Sequence, residues 1–326
     1  MKIAYLILAH NNWRHLERLL AALNADEVSF FIHIDKKATA DASFSEYNNV
    51  KVLTDRVTVN WGGYSLVEAE FRLLKAAHEA DNFDYYVLLS GVDYPIRSNR
   101  YIQSFFTKNK TKNFINVVKI PQNVKKYERL DTYHIEGGAR NNKLKRYSIG
   151  GINVLIGYLP FKRGYPKRYT HFNLYAGSTW WAFHRDFVGY LLNYRVNNPH
   201  FFNFYKHARC PSEMIFQTII MNSPFRESVD YGLTYDDWAI APLPHPALIG
   251  EIHLPILRQE LIEVFYSRII NHTAGKKLAY GNLDLEEAFA GAPRGMSSPH
   301  LFARKFNDVS DGILKQIEDI RNIQGF

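Results

Sequence analysis

Hydrophobic positions follow two rhythms along the first third of the chain. Ile3–Ala9 is an unbroken apolar run, the pattern of a parallel strand covered on both faces. After Asn11-Asn12, either of which is placed to cap a helix, Trp13, Leu16, Leu19, Leu20 and Leu23 recur at helical spacing. Ser29–Ile34 reads as a second strand closing on Asp35-Lys36-Lys37, and Val52–Thr54 as a short third. Ser65–Glu79 reads as a helix with Leu66, Phe71, Leu74 and Ala77 available for its buried side. Tyr85–Ser90 is a further strand, closing on Gly91-Val92-Asp93-Tyr94-Pro95. This β-α-β order predicts an α/β fold with a mostly parallel central sheet flanked by helices. Ligands then sit beyond the C-terminal strand ends, where His10, Asp35 and Asp93 fall.

The remainder is more mixed. Residues 121–150 are polar and lysine-rich and read as a loop over one face; Gly177–Phe183 reads as a strand and Asp186–Asn193 as a helix. Pro211 suits the first turn of a helix running to Ile220, which puts Glu213 in that turn, where the helix dipole favours an ionised carboxylate. Tyr235–Trp238 follows another short strand. Two mostly helical stretches, around 253–270 and 309–322, are separated by Gly/Ser/Pro punctuation near 291–299.

Composition narrows the chemistry. The 326 residues contain a single cysteine, Cys210, which excludes an intrachain disulfide framework and a cysteine-rich zinc module. No run of about 18 apolar residues occurs. Lys2 and the apolar run after it resemble a signal peptide superficially. The run is short, stops at His10-Asn11-Asn12 and lacks a small-residue cleavage site, so a buried strand and a reducing cytoplasm, or its membrane surface, are expected. The formal charge of +8 suits nucleic acid, anionic lipid or a phosphorylated substrate. The nearest approach to a basic tract, Asn141–Arg146, reads as solvated surface, and no nucleic-acid motif accompanies it; no nucleic-acid partner is expected.

Gly-x-Gly-x-x-Gly, Walker and Gly-x-Ser-x-Gly motifs are absent, as is any Asp-x-Asp. Asp236-Asp237 reads as a turn, and Asp284-Leu285-Glu286-Glu287 as a surface helix. The histidines form no metal-ligand spacing. No metal and no cofactor are expected.

Four stretches stand together: Ala4–His10, Ile32–Lys37, Leu89–Ile96 and Leu301-Phe302-Ala303-Arg304-Lys305-Phe306. In order and spacing they resemble the core-2/I-branching N-acetylglucosaminyltransferase family, which includes the peptide O-xylosyltransferases. The resemblance extends through Trp61-Gly62-Gly63-Tyr64-Ser65, Gly177-Ser178-Thr179-Trp180-Trp181 and Pro211-Ser212-Glu213, so it covers roughly 1–246 plus 299–307. It implies a GT-A-like fold and metal-independent, inverting transfer of a sugar from a UDP-sugar to a hydroxyl of a glycan or lipid-linked glycan acceptor. The implied nucleotide contacts are Leu8, Ala9, His10, Asp35, Trp61, Arg304 and Lys305. Glu213 is the implied catalytic carboxylate, and Glu128, Arg129 and Trp238 the implied acceptor contacts.

Elementary chemistry fits these roles. Displacing UDP leaves negative charge on the β-phosphate, which fixed cations can stabilise in place of a metal. Arg304 can fork onto two phosphate oxygens, as Lys305 cannot. Plainer readings stand beside each: a surface pair for Arg304-Lys305, a helix cap for Glu213, strand-end polar residues for His10 and Asp35, and core for Trp61 and Trp238. Trp180 and Trp181 read as mainly packing.

Departures from the family are the lack of the cysteines that staple its animal members and Thr179 in place of an aspartate; with no membrane anchor read in this sequence, a bacterial-type cytoplasmic enzyme is expected. A longer link also precedes the basic motif. The expected organisation is a catalytic domain over 1–246, a helical insertion over 247–298 with Leu257, Leu261, Phe265 and Ile269 at helical spacing, and 299–326 completing the catalytic domain. The insertion could serve as a lid, an oligomer contact or a peripheral membrane contact. GlcNAc or xylose is the favoured donor sugar, with capsule, lipopolysaccharide or exopolysaccharide synthesis as the setting. The alternative is a non-catalytic nucleotide- or glycan-binding module on the same fold.

Overall fold

Seven strands form the main sheet of the computed structural model, which describes residues 1–39, 44, 47–120, 128–137, 143–159, 163–164, 172–238, 246–257 and 300–323. At its centre β1 (Ile3–Ala9) pairs in parallel with β2 (Val28–Ile34) on one side and β4 (Tyr85–Ser90) on the other; β3 (Val50–Val52) continues beyond β2. Past β4 the direction reverses: β9 (Trp181–His184) is antiparallel to both β4 and β6 (Asn113–Ile115), and β10 (Val229–Asp230) closes the edge parallel to β6. The order is β10-β6-β9-β4-β1-β2-β3. The expectation of an α/β fold with a mostly parallel central sheet is met, with a mixed sheet whose parallel pairings are the more numerous.

Both faces of β1 are covered, as its unbroken apolar run requires. Ala4 and Leu6 enter one buried cluster with α2 (Ser65–Ala80), while Ile3, Tyr5, Ile7 and Ala9 enter another with α1 (Trp13–Leu23) and α3 (Asn99–Lys108). A smaller sheet lies apart. In it β12 (Phe302–Arg304) sits between β5 (Asp93–Pro95), antiparallel, and β11 (Thr234–Asp236), parallel. Behind this sheet α9 (Leu254–Leu257) and α10 (Asp311–Ile323) supply Leu254, Leu257, Ile313, Leu314, Ile317 and Ile320 to a third cluster. The remaining elements are β7 (Val118–Lys119), α4 (Glu128–Asp131), α5 (Lys143–Tyr158), β8 (Tyr175–Ala176), α6 (Arg185–Asn197), α7 (Pro199–Tyr205) and α8 (Ile215–Met221).

Several local expectations are corrected. Neither asparagine side chain caps α1: Asn12 takes left-handed backbone angles (φ 55°) and its amide bonds Asn11. Instead the Asp308 carboxylate, from far along the chain, accepts from the His15 backbone N–H at 2.8 Å. The third strand lies at 50–52, where the Ile32 carbonyl takes the Leu53 N–H and ends the pairing. The 121–150 region holds α4 and the start of α5 rather than only loop. Residues 177–180 form an irregular loop bent at Thr179, not strand. Gly177 presses on the Asn116 carbonyl where any side chain would collide, and Gln217 Nε2 holds the Ser178 carbonyl at 2.7 Å. Asp93 does not end a main-sheet strand; it opens β5. Asp236 is the last residue of β11 and Asp237 continues in irregular chain, so the Asp236-Asp237 turn reading is corrected. Of the expected insertion, 251–257 form a 3-10 turn and one helical turn, and Leu261, Phe265 and Ile269 lie outside the described residues.

Candidate active site

The open ends of β1, β2 and β4 form one rim. Leu8 is partly buried, Ala9 buried and His10 exposed at the end of β1. Asp35 follows β2 and is held by its own neighbourhood: its backbone N–H donates to the Ala9 carbonyl, and its Oδ1 accepts from Lys37 N–H at 2.9 Å and Val59 N–H at 3.4 Å. Lys37 Nζ lies 3.6 Å from Asp35 Oδ2 and also reaches Asn60 Oδ1 at 3.2 Å. Arg56 donates to the carbonyls of Ile34, Asp35 and Ala38. His33 Nε2 accepts from Val57 N–H at 3.0 Å, a role that requires a neutral ring; burial holds this histidine down to about 4. The loop 56–61 is thereby folded back over Asp35, and it ends on Trp61, which is 66% exposed.

Glu136 props that loop from beneath. Its carboxylate accepts from Ser65 N–H (3.0 Å) and Asn60 Nδ2 (3.1 Å), and it fills the space a side chain at Gly63 would need. The Gly62 carbonyl takes the N–H of Cys210, whose backbone is left-handed (φ 53°). Burial pushes the Cys210 thiol up, consistent with a packing role rather than a nucleophilic one. Trp61 and Glu213 are thus carried by loops bonded to one another.

Glu213 does not stand in the first turn of α8. Pro211–Glu213 is an isolated 3-10 turn, Met214 leaves helical geometry, and α8 begins at Ile215, so the dipole argument for this carboxylate falls away. In its place a cation fixes the side chain: Arg129 Nη1 donates to Glu213 Oε2 at 2.8 Å. Arg129 is carried on α4, and its carbonyl takes the Arg209 N–H. Oε1 of Glu213 accepts no hydrogen bond among the described residues. The side chain of Glu128 lies outside the described residues.

Arg304 sits on β12, in a row across the small sheet. Asp236 on β11 and Asp93 on β5 are its register partners. Arg304 Nε lies 3.2 Å from Asp93 Oδ1, and Nη2 lies 3.5 Å from Ser90 Oγ. The Trp180 ring covers the guanidinium, 4.0 Å from Cζ to the ring centre. Only 9% of Arg304 is exposed. Asp93 is fully buried and further held by Ser90, whose N–H and Oγ donate to it at 2.9 and 2.5 Å. Burial raises the Asp93 carboxyl, against the lowering pull of Arg304 and Ser90. Asp236 is likewise raised by removal from water; Arg304 opposes this, as does Trp238 Nε1, which donates to its Oδ2 at 3.0 Å. Trp238 itself is 47% exposed, and Lys305 is partly buried.

The loop 177–180 links the Glu213 turn to the Arg304 row. Gly177 N–H donates to the Glu213 carbonyl, Thr179 Oγ1 lies 3.3 Å from Ser212 Oγ, and Trp180 stacks on Arg304. The structure therefore brings the Glu213–Arg129 pair and the Arg304 row to the two ends of one short loop. It gathers Asp35 and Trp61 on a neighbouring rim. Trp181 is buried against Phe183, as expected of packing, but Trp180 is not mainly packing: it faces the cation. Sequence reasoning also missed Asp236 and Glu136. The signal for Asp236 was an acidic residue ending a strand beside Trp238; Glu136 carried none.

A family model described as "Core-2/I-Branching enzyme" matches residues 3–263. Xylosyltransferase 2 of Rattus norvegicus is 30% identical over 251 residues, and that of Homo sapiens 28% over 253; each alignment covers 73% of this chain and 27% of the relative. The chain therefore matches about a quarter of the length of these curated relatives. Among solved structures, S. aureus TarS aligns over 35% of this chain and 21% of its own, at 14% identity and a TM-score of 0.28, too slight a likeness to argue from.

Proposed function

This chain belongs to the Core-2/I-branching enzyme family, a family of glycosyltransferases, and from that premise we propose that it moves a sugar from a UDP-sugar to a hydroxyl of a glycan acceptor with inversion and without a metal. The observation that carries the proposal is the oriented Glu213 carboxylate, joined through the 177–180 loop to a buried arginine. Glu213 takes the acceptor proton on Oε1 while Arg129 holds Oε2, and the acceptor oxygen attacks the anomeric carbon from the face opposite UDP. A single displacement of this kind inverts the configuration.

Arg304 and Lys305 take up the charge that grows on the diphosphate as the glycosidic bond breaks. Arg304 is well suited because Asp93 and Trp180 already fix its plane, so little ordering remains when phosphate arrives. The same carboxylates support a metal-free reading: Asp93 and Asp236, the acids flanking this place, line up with a guanidinium that would compete with a cation for them. Asp35 and Trp61 hold the uridine and ribose, and Trp238 offers an exposed ring to the acceptor. GlcNAc and xylose are the favoured donor sugars, and a bacterial surface glycan is the favoured product.

The test is UDP release from a panel of UDP-sugars in excess EDTA, with and without a glycan acceptor pool. Wild-type release should persist in EDTA, and Glu213→Gln should lower turnover by about 10²–10⁴-fold while leaving UDP affinity little changed. A variant that turns over at the wild-type rate, or a wild-type activity that returns only with added Mn²⁺, overturns the assignment.

A further inference from the structure

Helix α5 presents an apolar face to solvent. Ile152, Val154, Leu155 and Tyr158, with Leu159 just beyond, are between 43% and 85% exposed. On a helical wheel they fall within one broad sector. The opposite side is the attached one: Asn153 exchanges two hydrogen bonds with the Ile135 backbone (2.8 and 3.0 Å), and Ile149 closes on Gly137. The helix is therefore mounted on the 135–137 segment, whose Glu136 props the Trp61 loop, with its apolar face turned outward.

Charge identifies what that face meets. Residues 121–170 hold eleven Lys/Arg and three Asp/Glu, an excess of 11 − 3 = 8, which equals the formal charge of the entire chain; the rest is balanced at 29 against 29. No acidic residue occurs from 137 to 185, while Lys143, Lys145 and Arg146 stand in the opening turns of α5 and Lys162, Lys167 and Arg168 follow it. Exposed aliphatic and tyrosine side chains bracketed in sequence by cations, within a stretch that holds no acidic residue, are the chemistry of a helix lying at an anionic lipid surface. Sixteen residues span about 24 Å, short of the roughly 30 Å hydrocarbon layer, and no described helix is long and apolar enough to cross a membrane.

We propose that α5 is an interfacial helix that docks this protein on an anionic membrane surface through Ile152, Val154, Leu155, Tyr158 and Leu159, the net positive charge carried by the 121–170 sequence drawing it to anionic lipid. Docking there brings the Trp61 rim of the site to the surface on which a lipid-linked acceptor presents its sugar.

Vesicle co-sedimentation of the full chain tests this, and it needs neither donor nor turnover, so it stands apart from the catalytic reading. Binding to phosphatidylcholine vesicles in which about one lipid in three is phosphatidylglycerol should exceed binding to phosphatidylcholine alone by about tenfold or more, and fall with added salt. Leu155→Asp/Tyr158→Asp should weaken it by about tenfold or more, with thermal stability and UDP affinity unchanged. Wild-type protein that ignores anionic vesicles, or a double variant that binds like wild type, overturns the proposal. A double variant that melts early shows the face packed against another part of this chain, and a wild-type dimer dispersed by the substitutions shows a self-interface; both overturn it.

Discussion

The Asp35 rim and the Arg304 row hold buried charged side chains by different means. Among the described residues, every group that fixes Asp35 comes from residues 9–60, and several are backbone amides or carbonyls, so this carboxylate, itself buried, is held by chain that is close in sequence. The Arg304 row joins residues 93, 180, 236 and 304, far apart in sequence, and its Asp93 and Arg304 sit almost out of water with few partners each. At the rim, losing one partner leaves the others on the same carboxylate. In the row, losing one partner strands a buried charge. The difference shows where this protein should be tolerant and where brittle.

The strongest way to break the comparison is Asp93→Asn. It leaves Arg304 without its 3.2 Å counter-charge, and a loss of about 3 kcal/mol of folding stability is expected, read as a shift in the denaturant midpoint. Arg304→Met in the same background should recover much of that loss, because the stranded charge is then gone. Additive losses in the double variant would show that the pair is not the unit it is taken for.

Glu70 sharpens the same contrast from the other side. It is fully buried on α2, neither oxygen has a hydrogen-bond partner among the described residues, and burial raises its carboxyl well above 4.5. The folded chain then keeps a proton that the unfolded chain releases. The contribution is fully present below pH 4.5 and is lost as pH rises from there through the folded value, at no more than about 1.4 kcal/mol per pH unit. Glu70→Met should add about 1–3 kcal/mol at neutral pH and flatten this dependence. A destabilised variant would mean the carboxyl has a partner that matters.

Arg304→Ala probes the row through its ligand. UDP affinity should drop about tenfold or more while UMP, lacking the β-phosphate, loses far less. Equal losses for the two nucleotides in calorimetric titration would remove Arg304 from the diphosphate. The smallest effect is expected at the rim. Asp35→Asn keeps the acceptor for Lys37 and Val59 N–H and should cost less than about 1 kcal/mol of stability, with nucleotide affinity falling only several-fold.

Hydrophobic rhythm alone determined the central strands β1, β2 and β4, the helices α1 and α2, and the place where Asp35 falls, because a strand covered on both faces and an amphipathic helix each write their period into adjacent residues. The ordered motifs further determined the family and the candidate residues Glu213, Arg304 and Lys305. What they could not carry was any contact whose partner lies far along the chain. Asp308 capping α1, Arg129 in place of a helix dipole on Glu213, Glu136 under the Trp61 loop and Trp180 on Arg304 each join residues between 71 and 293 positions apart, or pair side chains with no shared period. Only the tertiary structure decided these. A local pattern reports whether a side chain faces the core, whereas the identity of the charge beside it is set by which distant segment the folded chain lays against it.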